Sequence, residues 1–187
     1  MNNYKLYFVV SKTFNSFDFL SRLFLLIFKH EINYSIENTI IKIEDLSLSE
    51  INKLRISYDA IKNDLELDDL TIICTPFFKK EFELIIDDFN KSGFYFIDEV
   101  FYYLSSKNSL KIDLLITMFD NIKCEILQTV KYYIELNHSL IDTARMMFAH
   151  RNTINYRINK FIDLTGIDVH NTVCSRLIIY ILSFMKI

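Results

Sequence analysis

Glycine and proline are scarce in this sequence, with two glycines and one proline in 187 residues. Both residue types mark turns and loops, so their scarcity predicts short connections between regular elements. No glycine occurs before Gly93. Phosphate-binding loops and nucleotide cyclases need glycines for close backbone approach, and the first 92 residues therefore exclude them.

Cysteine is also rare, and Cys74, Cys124 and Cys174 are spaced 50 residues apart without a close pair. The four histidines lie at positions 30, 138, 150 and 170 and add no ligand at metal-binding spacing. The pattern favours free buried thiols and neither a metal nor another cofactor. Serine, histidine and cysteine form no motif for nucleophilic catalysis, so we expect that the protein is not an enzyme.

Long apolar runs are missing as well. The most apolar stretch, Phe19 to Phe28, is short and contains Arg22. A membrane span needs about 20 consecutive apolar residues, so this stretch is expected to be a core helix. The N-terminus has no basic region followed by an apolar run. We expect a cytoplasmic protein without a membrane partner.

Apolar residues are plentiful, at 51% of the chain with 17 Phe and 11 Tyr, which argues against disorder. The net charge is −3, but it is unevenly distributed. Residues 1–122 hold 13 Lys/Arg and 19 Asp/Glu, whereas residues 123–187 hold 8 and 5. An acidic accessory part joined to a basic, DNA-contacting part would have this asymmetry.

The hydrophobic pattern predicts an α+β protein of two domains. Residues 1–105 are expected to form a small α/β layer of three or four strands with helices, because strand and helix patterns alternate there. Strands are predicted at 4–11, 39–43 and 70–75, with a further short strand or link at 94–97. Helices are predicted at 16–31 and 79–90, and residues 46–49 are expected to lead into a helix that runs to about Leu65. Residues 106–187 are expected to be all-α, after a link at Ser105 to Ser109.

The stretch from Ser139 to Gly166 predicts a helix-turn-helix. Its first helix is expected to run from Ser139 to Met147, capped by Ser139, with Asp142 placed to complete a capping box. Phe148 and Ala149 form the turn. The side chains expected to face inward from the first helix are Leu140, Ile141, Ala144 and Met147.

The second helix, at about 151–164, has two distinct faces at about 100° per residue. Ile154, Ile158 and Phe161 share one side, and the opposite side carries asparagine, threonine, tyrosine and arginine. Such side chains pair with base edges and phosphates in the major groove. The expected base contacts are Arg151, Asn152, Asn155 and Tyr156; the expected phosphate or positioning contacts are His150, Thr153, Arg157 and Lys160.

Alternatives stay open on residue chemistry alone. The polar side of the second helix also fits a plain helical hairpin facing water, and Arg157 also fits a salt bridge to the accessory domain. The acidic net charge fits a protein-interaction or ligand-sensing module that has lost DNA binding. The apolar side of a closing helix, from about Thr172, fits either domain core or a dimer surface.

The segments ILQTVKYYIELN at 126–137 and DTARMMFAHRNTINYRINKFIDLTGID at 142–168, with the apolar tail at 177–182, resemble the C-terminal helix-turn-helix domain of PucR-type (CdaR-type) bacterial transcription regulators. The turn and second helix also resemble the Fis-type DNA-binding hairpin. The resemblance implies a sequence-specific transcription regulator that binds double-stranded DNA. Because one hairpin reads only a half-site, a homodimer is expected. An unknown small-molecule effector is a further possible partner, and no inducer is assigned.

Overall fold

The computed structural model describes residues 4–10, 24–25, 27–29, 32–37, 40–64, 70–185 and 187. The chain divides into two compact units, Met1–Ser106 and Lys107–Ile187. The first holds a sheet with helices and the second is helical, so the architecture is α+β as predicted.

The N-terminal unit is built on five strands: β1 Tyr4–Val10, β2 Tyr34–Glu37, β3 Ile40–Leu46, β4 Leu70–Thr75 and β5 Gly93–Phe96. Their order in the sheet is β2-β3-β1-β4-β5. The β4–β5 pair is parallel, and the other three pairs are antiparallel. The central strand β1 is therefore antiparallel to both of its neighbours, β3 and β4.

The central strand β1 is buried on both faces. Leu6 and Phe8 belong to a core cluster with residues of β3, β4 and the first helices, while Tyr7 lies against Phe78 with ring centroids 4.6 Å apart. Consecutive residues of a strand point to opposite faces. The burial of consecutive residues in β1 (Leu6, Tyr7 and Phe8) and along all of β4 therefore fits a sheet that is covered on both sides.

The helices of this unit with described bounds are α1 Leu48–Ile56, α2 Tyr58–Asp64, α3 Lys80–Ile86 and α4 Ile97–Ser106, and residues 24–25 and 27–28 are helical as well. A capping box begins α1, because Ser47 accepts from Glu50 N and the Glu50 side chain accepts from Ser47 N. The helix predicted to follow residues 46–49 and to run to about Leu65 is present over most of this range, but it is divided at Ser57 into α1 and α2. The helix predicted from Ser16 to about Glu31 lies largely outside the described residues.

The C-terminal unit contains α5 Ile112–Ile116, a 3₁₀ turn Thr117–Phe119, α6 Cys124–Glu135, α7 Leu140–Met146, α8 Arg151–Thr165 and α9 Thr172–Phe184. Helix α8 packs on α6 and α7, and α9 packs on α5 and α6. The apolar side predicted for the closing helix is domain core, because Leu177, Ile178, Ile181 and Leu182 are all fully buried.

Three further observations concern the described residues only. None of their helices is long and apolar enough to cross a bilayer. No group of three or more His, Cys, Asp or Glu residues among them is placed to hold a metal ion. The Cys74 and Cys174 thiols are buried, but Cys124 is exposed at the start of α6, so the prediction of a buried thiol is wrong there.

Candidate nucleic-acid interface

Ser139 caps helix α7 as the sequence predicts, but the expected capping box is not completed, because Ser139 N donates to Leu136 O at 3.1 Å and not to the Asp142 side chain. Ser139 Oγ accepts from Asp142 N at 3.3 Å and donates to Asp142 Oδ2 at 2.6 Å. The Asp142 carboxylate is thus bonded to the capping hydroxyl. Thr143 is the buried side chain of this helix, and its Oγ1 donates to Ser139 O at 2.7 Å. Ile141, expected inside, is 58% exposed, and that prediction is wrong.

The turn between α7 and α8 is tight. Phe148 N donates to Arg145 O at 3.2 Å and Ala149 N donates to Ala144 O at 3.0 Å, which satisfies carbonyls at the end of α7. Phe148 adopts a φ of 48°, in the left-handed region that favours glycine. Its ring is 99% exposed. The turn therefore exposes an apolar ring to solvent, and the backbone of that residue is strained.

Both ends of α8 are defined by specific residues. At its start, His150 is the N-cap, and its Nδ1 accepts from Asn152 N at 3.2 Å. At its end, Gly166 adopts a φ of 71° and its N–H donates to Ile162 O at 2.7 Å. Glycine takes this left-handed C-cap conformation without the steric penalty of a Cβ atom. The helix length is thus set by two residues visible in the sequence.

The inward side of α8 is the one that the sequence predicts. Ile154, Ile158 and Phe161 are buried, and the Phe161 ring lies 5.6 Å from that of Phe119. Thr165 is also buried, where its Oγ1 donates to Phe161 O at 2.8 Å. These contacts fix the rotation of α8 about its axis. Its polar side is consequently turned away from the core of its own unit.

The eight predicted contact residues separate into two groups. Exposed together at the start of α8 and along its outer side are His150, Arg151, Asn152, Thr153, Asn155 and Tyr156. Arg157 and Lys160 are only half-exposed on its flank. Exposed side chains are free to meet base edges, whereas half-buried ones are already engaged in part by the protein.

Arg157 has a definite partner within its own unit. Its Nη2 lies 2.8 Å from Glu125 Oε2, and its Nη1 donates to Thr129 Oγ1 at 3.4 Å. Thr129 is fully buried and donates in turn to Glu125 O at 2.7 Å. Arg157 therefore ties α8 to α6 within its own unit. No sequence signal identified Glu125 and Thr129, because they lie 32 and 28 residues away.

A second group of side chains joins the segment before the helix-turn-helix to the segment after it. His138, in the α6–α7 link, places Nε2 3.0 Å from Val169 O and 3.3 Å from Ser175 Oγ. Tyr133 Oη lies 3.3 Å from His170 Nε2. Burial, followed by the negative charge of Asp168, raises the pKa of the Tyr133 phenol. These contacts connect the link before α7 to the link after α8.

Comparison with known proteins locates a family domain in this unit. Residues 126–177 match the family model described as the PucR C-terminal helix-turn-helix domain. The resemblance carried by the HRNT, YR and LTG residues is thus confirmed. The matched segment spans most of α6, all of α7 and α8 and the first part of α9, so the helix-turn-helix described above lies within the match.

Individual proteins are similar to this chain over segments of different length. A 45-residue segment is 44% identical to the uncharacterized protein YxkF of Bacillus subtilis (strain 168), covering 24% of this chain and 15% of that protein. The chain thus matches less than a sixth of the length of that relative. A regulator of polyketide synthase expression from Bifidobacterium adolescentis aligns at 13% identity and a TM-score of 0.43, over 98% of this chain and 80% of its own.

Proposed function

We propose that the chain is a sequence-specific DNA-binding transcription regulator whose helix α8 enters the major groove. One observation carries the proposal. Within a PucR-type helix-turn-helix, the outer side of α8 exposes asparagine, tyrosine and arginine, while its apolar side is fixed in the core. The family match itself supports a regulatory protein and not an enzyme.

The proposed roles follow from exposure and chemistry. Asn152 and Asn155 suit adenine edges, Arg151 suits guanine, and Tyr156 offers a hydroxyl. His150, Thr153 and Lys160 are proposed phosphate or positioning contacts near the start and flank of the helix. Because Arg157 already bridges α8 to α6, its proposed role is to set the angle at which α8 meets the groove.

The test replaces one proposed base contact. Losing a bidentate contact to a base costs about 1–3 kcal/mol of discrimination. Asn152→Ala is therefore expected to weaken binding to the cognate site by roughly fivefold to more than a hundredfold, with little change on random DNA. The cognate site is first found by mapping protected fragments across genomic DNA, and affinities are then measured by gel shift or fluorescence anisotropy.

The matched control is Asn121→Ala, which removes the same side chain from an exposed position before α6. It is expected to leave both affinities unchanged. An equal loss on cognate and random DNA would assign Asn152 to the backbone. If the wild-type chain binds no DNA at low salt, the proposal fails in favour of an interaction or ligand-sensing module.

Partners follow from the same proposal. One hairpin contacts a half-site of a few base pairs, and helix-turn-helix proteins reach full operators as dimers. We therefore propose a homodimer on a two-fold symmetric site, to be checked by analytical ultracentrifugation with and without DNA.

A small-molecule effector that binds the N-terminal unit would raise the melting temperature of the protein by linkage, so a thermal-shift screen of small molecules detects one.

A further inference from the structure

A shallow groove of about 350 Å³ runs along the outside of α7 and the turn that follows it. Its lining residues are Leu136, Asp142, Arg145, Met146 and Phe148. It therefore combines one guanidinium, one carboxylate and three apolar side chains. None of these belongs to the contact residues proposed above, and the groove lies in the segment that leads directly into α8.

Phe148 is unfavourably placed in the free protein in two respects. It is the most exposed large apolar side chain in the part of the chain that the structure describes. Its positive φ also brings its Cβ atom close to its own backbone, a penalty that glycine would not have. A ligand that covers the ring removes the cost of its exposure to water. The free energy of that contact also offsets the cost of the positive φ. Strained residues of this kind concentrate at binding sites.

We propose that this groove continues the DNA interface onto the sugar–phosphate backbone, with Phe148 packed on a deoxyribose and Arg145 paired with the adjacent phosphate. The proposal rests on the binding of α8 in the major groove. Two residues separate Phe148 from Arg151, so their Cα atoms, three peptide units apart, lie within about 11 Å. The major groove is about 12 Å wide, and the first helix of this motif crosses the backbone at its edge.

The chemistry of the groove matches that ligand. A nucleic-acid backbone alternates an anionic phosphate with the apolar face of a sugar, and the groove places a guanidinium beside an apolar ring. Arg145 now pairs with Asp142 at 3.3 Å, with their side chains 78% and 53% exposed. Exposed ion pairs contribute little, so a phosphate can take the place of Asp142. The Asp142 carboxylate opposes that exchange by repelling the phosphate.

The experiment measures salt-dependent binding of the full chain to its cognate duplex and to a random duplex. Each phosphate contact adds about 0.9 to the slope of log affinity against log salt. Arg145→Gln is expected to lower that slope by about 0.9 on both duplexes. Its deficit at 50 mM salt then exceeds its deficit at 200 mM by about 3.5-fold. Asp142→Asn is expected to act in the opposite direction and tighten binding to both duplexes.

Phe148→Ala is expected to weaken binding to both duplexes by roughly tenfold without changing the slope, because the ring contact is apolar and does not release ions. Phe148→Gly separates this loss from misfolding, since it relieves the backbone while removing the ring. The matched controls lie in the other unit: Arg55→Gln removes an exposed charge and Tyr102→Ala removes an exposed ring. Neither is expected to change the affinity or the slope.

Cognate binding that is unaffected by both Arg145→Gln and Phe148→Gly overturns this inference and leaves the role of α8 intact. A change of sedimentation by Phe148→Gly with unchanged DNA affinity also overturns it, because the groove is then a protein interface. A wild-type chain that binds no DNA is a different outcome, since it removes the proposed function together with the inference that rests on it.

Discussion

Between Ser139 and Gly166 two residues have a positive φ, and only Gly166 suits it. A Cβ atom added to Gly166 would meet nothing within 4 Å, so only the backbone conformation opposes a substitution. Gly166→Ala is therefore expected to lower the free energy of unfolding by about 1 kcal/mol. Phe148→Gly is expected to raise it by a similar or smaller amount. Urea denaturation monitored by circular dichroism measures both changes in the free energy of unfolding. If both substitutions raise that free energy, or both lower it, this explanation is contradicted.

Thiol reactivity provides a second test at the residue scale. Burial raises the pKa of the Cys74 thiol, and Cys174 is buried, whereas Cys124 is exposed at the start of α6. Thiolate is the reactive form of cysteine. One thiol per chain is therefore expected to react rapidly with a disulfide reagent under native conditions, and Cys124→Ala is expected to abolish that fast phase. A fast phase that survives in this variant would show that a buried cysteine becomes accessible through local opening.

The positions where the sequence misleads are also individual residues. On α7 the pattern favoured Ile141 over Thr143 as a buried side chain, because hydrophobicity was the only available criterion. Thr143 is accepted in the core because its hydroxyl donates to Ser139 O, and that bond offsets the cost of burying it. Such a bond depends on local geometry that the pattern of apolar residues does not carry.

At the scale of elements, the contact between α8 and α6 depends on Arg157, whose side chain is 18% exposed. Lysine lacks the second nitrogen that reaches Thr129, so Arg157→Lys is expected to lose part of this contact. The coupling between Arg157 and Glu125 in a double-mutant cycle with Glu125→Gln is expected to be about 0.5–1 kcal/mol, limited by the exposure of Glu125. Urea denaturation of the four proteins measures it.

DNA binding by the same variants separates two roles for Arg157. If Arg157 positions α8, Glu125→Gln weakens binding to the cognate site, because the helix is held less firmly. If Arg157 instead contacts a phosphate, Glu125→Gln frees the guanidinium and tightens binding to every duplex. The bridge to a buried threonine favours the first outcome. An increase in affinity on both cognate and random DNA would assign Arg157 to the phosphate backbone.

Elements with strong local signals are those that the sequence predicts well. Helix α8 has an apolar stripe at helical spacing, a capping residue and a C-terminal glycine, and strand β4 consists mainly of β-branched and apolar residues. Strand β2 was missed because it has four residues and pairs only with β3 at the edge of the sheet. Its existence depends on that pairing, which sequence periodicity does not encode.

At the scale of the whole molecule, the two units differ in net charge, and the C-terminal unit has a hydrophobic core of its own. Lys107–Ile187 holds 10 Lys/Arg and 7 Asp/Glu, a net charge of +3, whereas the full chain has −3. The C-terminal unit also has its own buried side chains from α5, α6, α8 and α9. Residues 107–187 are therefore expected to fold alone, with a helical circular dichroism spectrum and a cooperative thermal transition.

The charge division gives the isolated fragment a distinct binding property. Removing the acidic unit removes its repulsion of DNA, so fragment 107–187 is expected to bind random DNA more tightly than the full chain at low salt. The difference is expected to vanish at high salt, where charges more than about 10 Å apart are screened. Filter binding over a salt series measures it, with residues 1–106 as the non-binding control. Random-DNA affinity that is equal for fragment and full chain at low salt would mean that the acidic charges of residues 1–106 lie too far from the bound duplex to act on it.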